Sequence, residues 1–254
     1  MRVIAFSNQK GGTGKTTSTI NTGAALALSG YRVLLVDLDP QANLTFSLGI
    51  NTLEISKTVG QLLLDETIPD DLILNRGRLQ LIPSTPSLYS IEADLYLKSG
   101  HEFFLRKALK SLEHYDYVLL DCPPSAGIFT QNALMAASEI FIPVQTEYLA
   151  LQGMSQLLKT VEDIKKESNP NLELGGIIAT RYDQRKVLNR EVIEKLQMHF
   201  GGLLFNTIIR ENISLAEAPS FGMDIFTYRP NSSGANDYLH LAAEVVERGL
   251  RNES

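Results

Sequence analysis

The sequence has little cysteine and no long hydrophobic run at its start. Cys122 is the single cysteine among 254 residues, so the chain can form no internal disulfide and no metal site of the usual multi-cysteine kind. The apolar run Met1–Phe6 turns polar at Ser7, which makes it too short for a signal peptide or a membrane span. These absences predict a cytoplasmic protein without zinc or structural disulfides.

The sequence also lacks linkers, repeats, charge blocks and an excess of positive charge. A formal net charge of -6 argues against a uniformly basic nucleic-acid binder, although it leaves room for a local basic patch. The composition, with 44% hydrophobic and 20% charged residues, is that of an ordinary globular protein. Because nothing divides the chain, we expect one domain over residues 1–254.

Short apolar runs alternate with longer segments that carry apolar residues at helical spacing. The predicted strands are Val3–Phe6, Arg32–Asp37, Leu79–Pro83, Tyr117–Asp121, Ile140–Val144 and Leu174–Thr180. The predicted helices include Thr16–Ser29, Phe103–His114, Leu149–Lys166 and Val187–Phe200. This order predicts an α/β fold with a doubly wound, mostly parallel sheet and helices on both faces. Polar clusters at 7–17, 37–43 and 121–127 follow three of the strands, where such sheets bind ligands.

The first polar cluster contains a glycine-rich loop, Lys-Gly-Gly-Thr-Gly-Lys-Thr-Thr, at residues 10–17. The phosphate-loop pattern G-x-x-x-x-G-K-[ST] fails only at its first position, where Gln9 stands. A buried strand runs into the loop and a helix begins at Lys15, so backbone N–H groups and the helix N-terminus can surround phosphate oxygens. Lys15 can then reach the outer phosphates, and the Thr16 hydroxyl can bind Mg²⁺. The loop predicts ATP binding, with a ligand-free glycine-rich turn as the alternative.

The other two polar clusters begin with acids. Asp37 and Asp39 are spaced so that both cannot point the same way in an extended strand, so one can face the nucleotide while the other packs. The run Tyr117–Asp121 is four apolar residues and an acid, the form of a Walker B strand whose carboxylate holds a Mg²⁺-bound water. Cys122, which follows, is most simply a small buried hydrophobic residue.

Lys10 is a second lysine within the phosphate loop, and the run Lys-Gly-Gly-x-Gly-Lys-Thr resembles the deviant Walker A motif of the ParA/MinD family. Residues 142–153 and 213–222 are also similar to the chromosomal ParA (Soj) subgroup, so the resemblance covers nearly the whole chain. It implies a P-loop NTPase fold, slow Mg²⁺-dependent ATP hydrolysis, and an ATP-dependent homodimer that binds non-specific DNA on the nucleoid. It further implies a ParB-like adaptor that stimulates hydrolysis, and a cargo that is a plasmid, a chromosome or a protein organelle.

The resemblance assigns roles to individual residues. Asp39 matches the residue that positions the attacking water near Mg²⁺, and the signature lysine, Lys10, reaches the partner's ATP. The catalytic residues are therefore expected to be Lys10, Lys15 and Asp39, and the metal-binding residues Thr16, Asp39 and Asp121. The expected ATP-binding residues are Lys10, Gly11, Gly12, Thr13, Gly14, Lys15, Thr16, Thr17 and, beside the adenine, Asn212.

A local basic segment is compatible with the DNA binding that the resemblance implies. Residues 181–210 contain six basic and three acidic side chains, a net charge of +3. The expected DNA contacts are Arg185, Lys186, Arg190 and Arg210. Many relatives have Ile-Pro-Arg-Asn where this chain has Ile209-Arg210-Glu211-Asn212, so the usual DNA-binding arginine position holds Glu211. Arg210 is expected to compensate from the neighbouring position.

Two alternatives to a DNA-binding switch remain. A MinD-like membrane ATPase needs a basic amphipathic C-terminal helix. The apolar stripe of Leu239, Leu241, Val245, Val246 and Leu250 is instead accompanied by Glu244, Glu247 and Glu253, which predicts a core-facing helix and no membrane contact. A small-molecule ATP-dependent ligase or kinase on the same fold is the second alternative.

Overall fold

The computed structural model describes residues 1–65, 68–69, 71–147 and 154–252. Seven strands build its sheet, and most are runs of Val, Ile and Leu that are buried on both faces, as parallel strands covered by helices require. The strands are β1 (Arg2–Phe6), β2 (Val33–Asp37), β3 (Leu74–Arg76), β4 (Leu79–Ile82), β5 (Tyr117–Asp121), β6 (Glu139–Gln145) and β7 (Glu173–Thr180).

The spatial order of the strands is β3-β4-β2-β5-β1-β6-β7. All neighbouring pairs are parallel except β3 and β4, which are antiparallel. The predicted doubly wound, mostly parallel sheet is therefore confirmed. The edge strand β3 was not predicted, because three partly to fully exposed residues carry no apolar signal.

Helices cover both faces of the sheet. They are α1 (Lys15–Leu28), α2 (Asn43–Ser47), α3 (Val59–Asp65), α4 (Leu88–Tyr96), α5 (Phe104–Leu109), α6 (Ile128–Ala136), α7 (Met154–Glu167), α8 (Val187–Phe200), α9 (Ile213–Glu217), α10 (Ile225–Tyr228) and α11 (Ser233–Asn252). Short 3-10 turns occupy His101–Phe103, Lys110–Leu112, Gly201–Leu203 and Ala218–Phe221. Along β2, side chains alternate between two cores, with Leu34 and Val36 in one and Val33 and Leu35 in the other.

Two of the predicted helices differ from the observed ones. The segment predicted as one helix over Phe103–His114 is divided into a 3-10 turn, α5 and a second 3-10 turn. The helix predicted over Leu149–Lys166 is observed from Met154, and the predicted start at 149–153 lies outside the described residues.

The C-terminal helix α11 packs on α1, as its apolar stripe predicts. Leu241 and Val245 are fully buried, whereas Leu239 is 39% and Leu250 65% exposed, so the inward stripe is narrower than the sequence indicates. Within the described part of the chain, no helix is both long enough and apolar enough to cross a membrane.

The strand order decides what meets at the carboxyl edge of the sheet. Because β5 lies between β1 and β2, Phe6 pairs in register with Asp121, and Asp121 pairs in register with Asp37. The loop after β1 therefore starts beside two strand-end carboxylates, and this edge is where ligands bind in parallel sheets.

Candidate nucleotide site

The phosphate loop joins β1 to α1 and adopts a backbone shape that glycine tolerates best. Gly12 and Gly14 have φ angles of 76° and 86°, in the left-handed region. Gly14 is also the N-cap of α1, whose first N–H groups have no partner within the helix. A side-chain carbon placed on Gly11 or Gly12 would meet no atom within 4 Å, so both face open space. The loop thus presents bare backbone donors to an open cleft.

Hydrogen bonds to the neighbouring strands β6 and β7 hold the loop in this shape. Thr180, at the end of β7, donates from Oγ1 to the carbonyl oxygen of Thr13 at 2.8 Å. Asn8 donates from Nδ2 to the Pro143 carbonyl of β6 at 2.8 Å and accepts from the Lys10 backbone N–H at 3.0 Å. The protein itself therefore fixes the loop's geometry.

Lys15 lies inside the loop and is only 8% exposed. Its Nζ donates to the Lys10 carbonyl oxygen at 3.4 Å. Burial lowers the pKa of the Lys15 ammonium, and the negative charges of Asp121 and Asp39 partly offset that effect. An ammonium that is buried at this depth beside open backbone donors fits a site that receives an anion.

Two of the three residues predicted to bind Mg²⁺, Thr16 in α1 and Asp121 at the end of β5, are in direct contact. Thr16 Oγ1 donates to Asp121 Oδ2 at 2.7 Å. Burial, followed by the charge of Asp37, raises the pKa of Asp121, so a bound cation would stabilise its carboxylate form. Hydroxyl and carboxylate oxygens are the ligands that Mg²⁺ prefers. The described residues contain no group of three or more His, Cys, Asp or Glu side chains that could hold a metal, so such an ion would also need phosphate and water ligands.

The two acids after β2 have different surroundings. Asp37 is fully buried, and its carboxylate accepts from the Thr45 backbone N–H at 2.9 Å and from Thr45 Oγ1 at 2.7 Å. Burial raises the pKa of Asp37 to about 7. Asp39 instead lines the cleft beside the phosphate loop, and its Oδ1 accepts from the Gln41 backbone N–H at 2.9 Å. The structure thus brings Asp39 to the site predicted for it and leaves Asp37 behind the loop.

The cleft has a volume of about 670 Å³. Gly11 to Thr17 line it together with Asn212, Leu215 and Tyr238. Asn212 reaches the cleft as predicted for an adenine contact, but both ends of its side-chain amide are used internally. Its Oδ1 caps α9 through the Ser214 backbone N–H at 2.8 Å, and its Nδ2 donates to Ser233 Oγ at 2.6 Å.

The Lys10 side chain has different surroundings from that of Lys15, although Lys15 Nζ contacts the Lys10 backbone. Lys10 Nζ forms an ion pair with Glu147 at 3.2 Å. Its side chain lines a second cleft of about 660 Å³ together with Arg181, Val187 and Leu188. Among the residues that the structure describes, Lys10 does not line the phosphate cleft. The two lysine side chains therefore line two adjoining clefts, which share Arg181 and Glu211.

The predicted DNA-binding residues of α8 and the loop before it are already paired within the chain. Arg185 forms a bidentate pair with Asp183 at 2.9 and 2.8 Å, which lowers the pKa of Asp183 to about 2. Lys186 contacts Glu211 at 3.0 Å, and Arg190 donates to the Gln184 carbonyl oxygen at 2.9 Å.

Arg210, which was expected to compensate for the acid at Glu211, already has a partner within the chain. The Arg210 guanidinium binds Asp237 of α11, with a shortest distance of 2.6 Å. Glu211 contacts both Lys186 and, at 3.8 Å, Arg181. The net charge of +3 counted along the sequence therefore overstates the charge that this surface offers.

Four residues that contact the predicted site residues were not found from the sequence. Thr45 donates to Asp37, Ser84 donates to the Asp39 carbonyl oxygen, Glu147 pairs with Lys10, and Asp237 pairs with Arg210. Glu147 lies within the 142–153 segment that carries the family resemblance, so that similarity was the one signal available for it. Asp237 is brought to Arg210 by α11, and no local pattern reveals that contact.

Comparisons with known proteins identify the family of this chain. A family model described as "AAA domain" matches residues 1–174. The chain is 44% identical over 251 residues to the sporulation initiation inhibitor protein Soj of Bacillus subtilis, with 98% of this chain and 99% of that protein covered. The chain belongs to the ParA/Soj-type partition ATPases.

Two further comparisons extend this assignment. The chromosome partitioning protein ParA of Myxococcus xanthus is 42% identical over 250 residues, which covers 97% of this chain and 88% of that protein. The solved structure of cobyrinic acid a,c-diamide synthase from Mycobacterium smegmatis, with bound ADP and magnesium, is 35% identical and has a TM-score of 0.87, with 99% of this chain and 96% of that chain covered. The fold is of the P-loop NTPase type.

Proposed function

We propose that this partition ATPase binds Mg-ATP, closes into a dimer, and in that state binds non-specific DNA and positions a cargo on the nucleoid. Hydrolysis stimulated by a ParB-like adaptor then releases it. The observation that carries this proposal is the separation of Lys10 from Lys15, because one loop holds two lysines that line different clefts.

The ATP part of the proposal rests on the phosphate cleft. Bare backbone at Gly11 and Gly12, the buried Lys15 and the Thr16–Asp121 contact provide donors, charge and oxygen ligands for a Mg-bound polyphosphate. Bound Mg²⁺ would neutralise charge on the phosphates during phosphoryl transfer. Asp39, at the wall of the same cleft, orients the attacking water.

The dimer part rests on the second cleft. Lys10 is half-buried and is held by Glu147, and the exposed apolar side chains of Val187 and Leu188 line the same cleft. An apolar rim beside an ammonium suits a protein surface that carries negative charge, such as a second subunit holding ATP. In the dimer Lys10 exchanges Glu147 for the partner's phosphates.

The test compares assembly and turnover in Lys10→Ala with the wild-type chain. Sedimentation is expected to show a monomer without nucleotide or with ADP, and a dimer with ATP. Lys10→Ala should still bind ATP but remain monomeric, whereas Lys110→Ala, an exposed lysine outside both clefts, should dimerise normally. ATP-dependent dimerisation of Lys10→Ala would refute the assigned role of Lys10.

A second candidate function is an ATP-dependent small-molecule synthetase, which the 35% identity to a solved structure described as a cobyrinic acid diamide synthase favours. The two candidates differ in what controls turnover. A partition ATPase is accelerated by DNA together with its adaptor, whereas a synthetase is accelerated by its small-molecule substrate. The synthetase would be favoured if DNA did not change the rate of ATP turnover and if nucleotide did not change the oligomeric state.

A further inference from the structure

The loop after β2 is closed by a ring of buried hydrogen bonds. Asp39 donates from its backbone N–H to Asp37 Oδ1 at 3.1 Å, and Thr45 Oγ1 donates to Asp37 Oδ2 at 2.7 Å. The backbone N–H of Ser84 donates to Thr45 Oγ1 at 2.9 Å. Ser84 Oγ then donates to the Asp39 carbonyl oxygen at 2.8 Å, which closes the ring. Four parts of the chain take part: the end of β2, the loop, α2 and the chain just beyond β4.

This ring fixes the backbone of Asp39 on both sides of its Cα atom. Its N–H is held through Asp37, and its carbonyl oxygen is held by Ser84. Asp37, Thr45 and Ser84 are fully buried, so solvent does not compete for these bonds. The Asp39 carboxylate is left at the wall of the cleft, while its backbone has little freedom.

The loop also contains a strained residue, which explains why such anchoring is needed. Ala42 has a φ angle of 54°, in the left-handed region that residues with a Cβ atom rarely adopt. Its backbone N–H donates to the same Asp39 carbonyl oxygen at 2.8 Å. A strained conformation persists only where its surroundings hold it, and here Ser84 and Ala42 share one acceptor.

We propose that Thr45 and Ser84 are positioning residues for ATP hydrolysis, which act through Asp37 and the backbone of Asp39 to hold the Asp39 carboxylate toward the attacking water. This inference rests on the proposed function, because it requires Asp39 to orient that water. Neither residue touches the phosphate loop's donors, so they affect turnover and leave nucleotide affinity unchanged.

The experiment measures kcat, KM for ATP and the affinity for a non-hydrolysable ATP analogue in Ser84→Ala and Thr45→Val. A misplacement of about 1 Å costs on the order of 100-fold in rate, so kcat should fall by about 10- to 100-fold. KM and analogue affinity should stay within about twofold, because the backbone donors of the loop are untouched. Thr45→Ser keeps the hydroxyl and should retain wild-type turnover.

A matched control separates positioning from general destabilisation. Thr22 is a fully buried threonine of α1 whose hydroxyl has no partner among the described residues, so Thr22→Val is expected to leave kcat unchanged. In an Asp39→Ala background, Ser84→Ala should cause no further loss, because the ring acts only through Asp39.

Each outcome decides the proposal. A fall in kcat with unchanged analogue affinity, restored in Thr45→Ser and absent in Thr22→Val, supports it. If Asp39→Ala loses turnover while Ser84→Ala and Thr45→Val both keep it, the ring has no positioning role although the proposed function stands. If Asp39→Ala keeps wild-type turnover, both the ring and the proposed role of Asp39 are overturned.

Discussion

The phosphate loop and the basic segment 181–210 are built in opposite ways. The loop is held by Thr180 and Asn8, its Lys15 side chain is buried, and its backbone donors face open space. The basic segment is exposed, and its cations are paired with acids of the same chain. The carboxylates show the same contrast, since burial raises the pKa of Asp37 to about 7 while Arg185 lowers that of Asp183 to about 2. The phosphate loop is preorganised for its ligand, whereas the basic segment must break ion pairs within the chain before it can bind DNA.

The largest effect is expected for a substitution in the phosphate loop. Lys15→Ala removes the buried ammonium from the phosphate loop and should weaken ATP binding by about 100-fold or more, as for a lost charged contact in a desolvated site. Isothermal titration calorimetry with ATP measures this directly. Lys10→Ala, in the same loop, should keep ATP binding because its side chain lines the other cleft. Equal losses in the two variants would erase the distinction between the lysines.

Asp39→Ala should give the next largest effect, on turnover and not on binding. Loss of a residue that orients the attacking water is expected to cost about 100-fold in kcat, while ATP affinity remains. The ATP-bound dimer should then stay on DNA. Single-turnover hydrolysis and DNA dissociation after dilution measure the two properties. Release of DNA at the wild-type rate would contradict this role.

These two predictions concern the part of the molecule that the sequence revealed best. Residues 10–17 are contiguous, so the loop, its lysines and the helix start were all visible as one motif. The positions of Asp39 and Asp121 at the site followed from the predicted parallel sheet, because the carboxyl ends of parallel strands meet at one edge. The hydrogen bonds of Thr45 and Ser84 were invisible, since they join residues from separate elements without any repeating pattern.

The basic segment was predicted less well for a related reason. Counting charges along 181–210 includes Asp183 but omits Glu211 and Asp237, which lie beyond the segment and reach it only through the fold. The Arg210 side chain is thereby bound to α11. A linear count cannot show that a cation already has a partner.

Glu211→Gln should increase the positive charge that the basic segment offers to DNA, because it removes the acid that pairs with Lys186 and Arg181. Removing this competing acid is expected to tighten ATP-dependent DNA binding by about 3- to 10-fold and to steepen its salt dependence by about one unit of the log–log slope. Fluorescence anisotropy over a salt series measures both. Glu194→Gln makes the same charge change on the exposed surface of α8 and serves as the control. If both variants gain equally, Glu211 acts only through net charge.

The smallest effect is a local titration. Arg185 holds the pKa of the Asp183 carboxylate at about 2, so Arg185→Ala should raise that pKa toward its ordinary value. Because the folded-state pKa is lowered, the pair stabilises the fold above the unfolded-state pKa and loses this contribution as the pH falls toward 2. Carbon-detected NMR titration of the carboxylate measures the shift. An unchanged pKa would mean that the pair does not persist in solution.

The most direct test of a nucleotide-switched DNA-binding ATPase is binding to a non-specific DNA duplex with ATP, with ADP and without nucleotide, at low and moderate salt, beside Arg185→Glu. We expect salt-sensitive binding with ATP alone, and its loss in Arg185→Glu. Equal binding in all three nucleotide states, or no binding in any, would contradict the proposal that nucleotide closure joins two self-paired basic surfaces into one DNA-binding face.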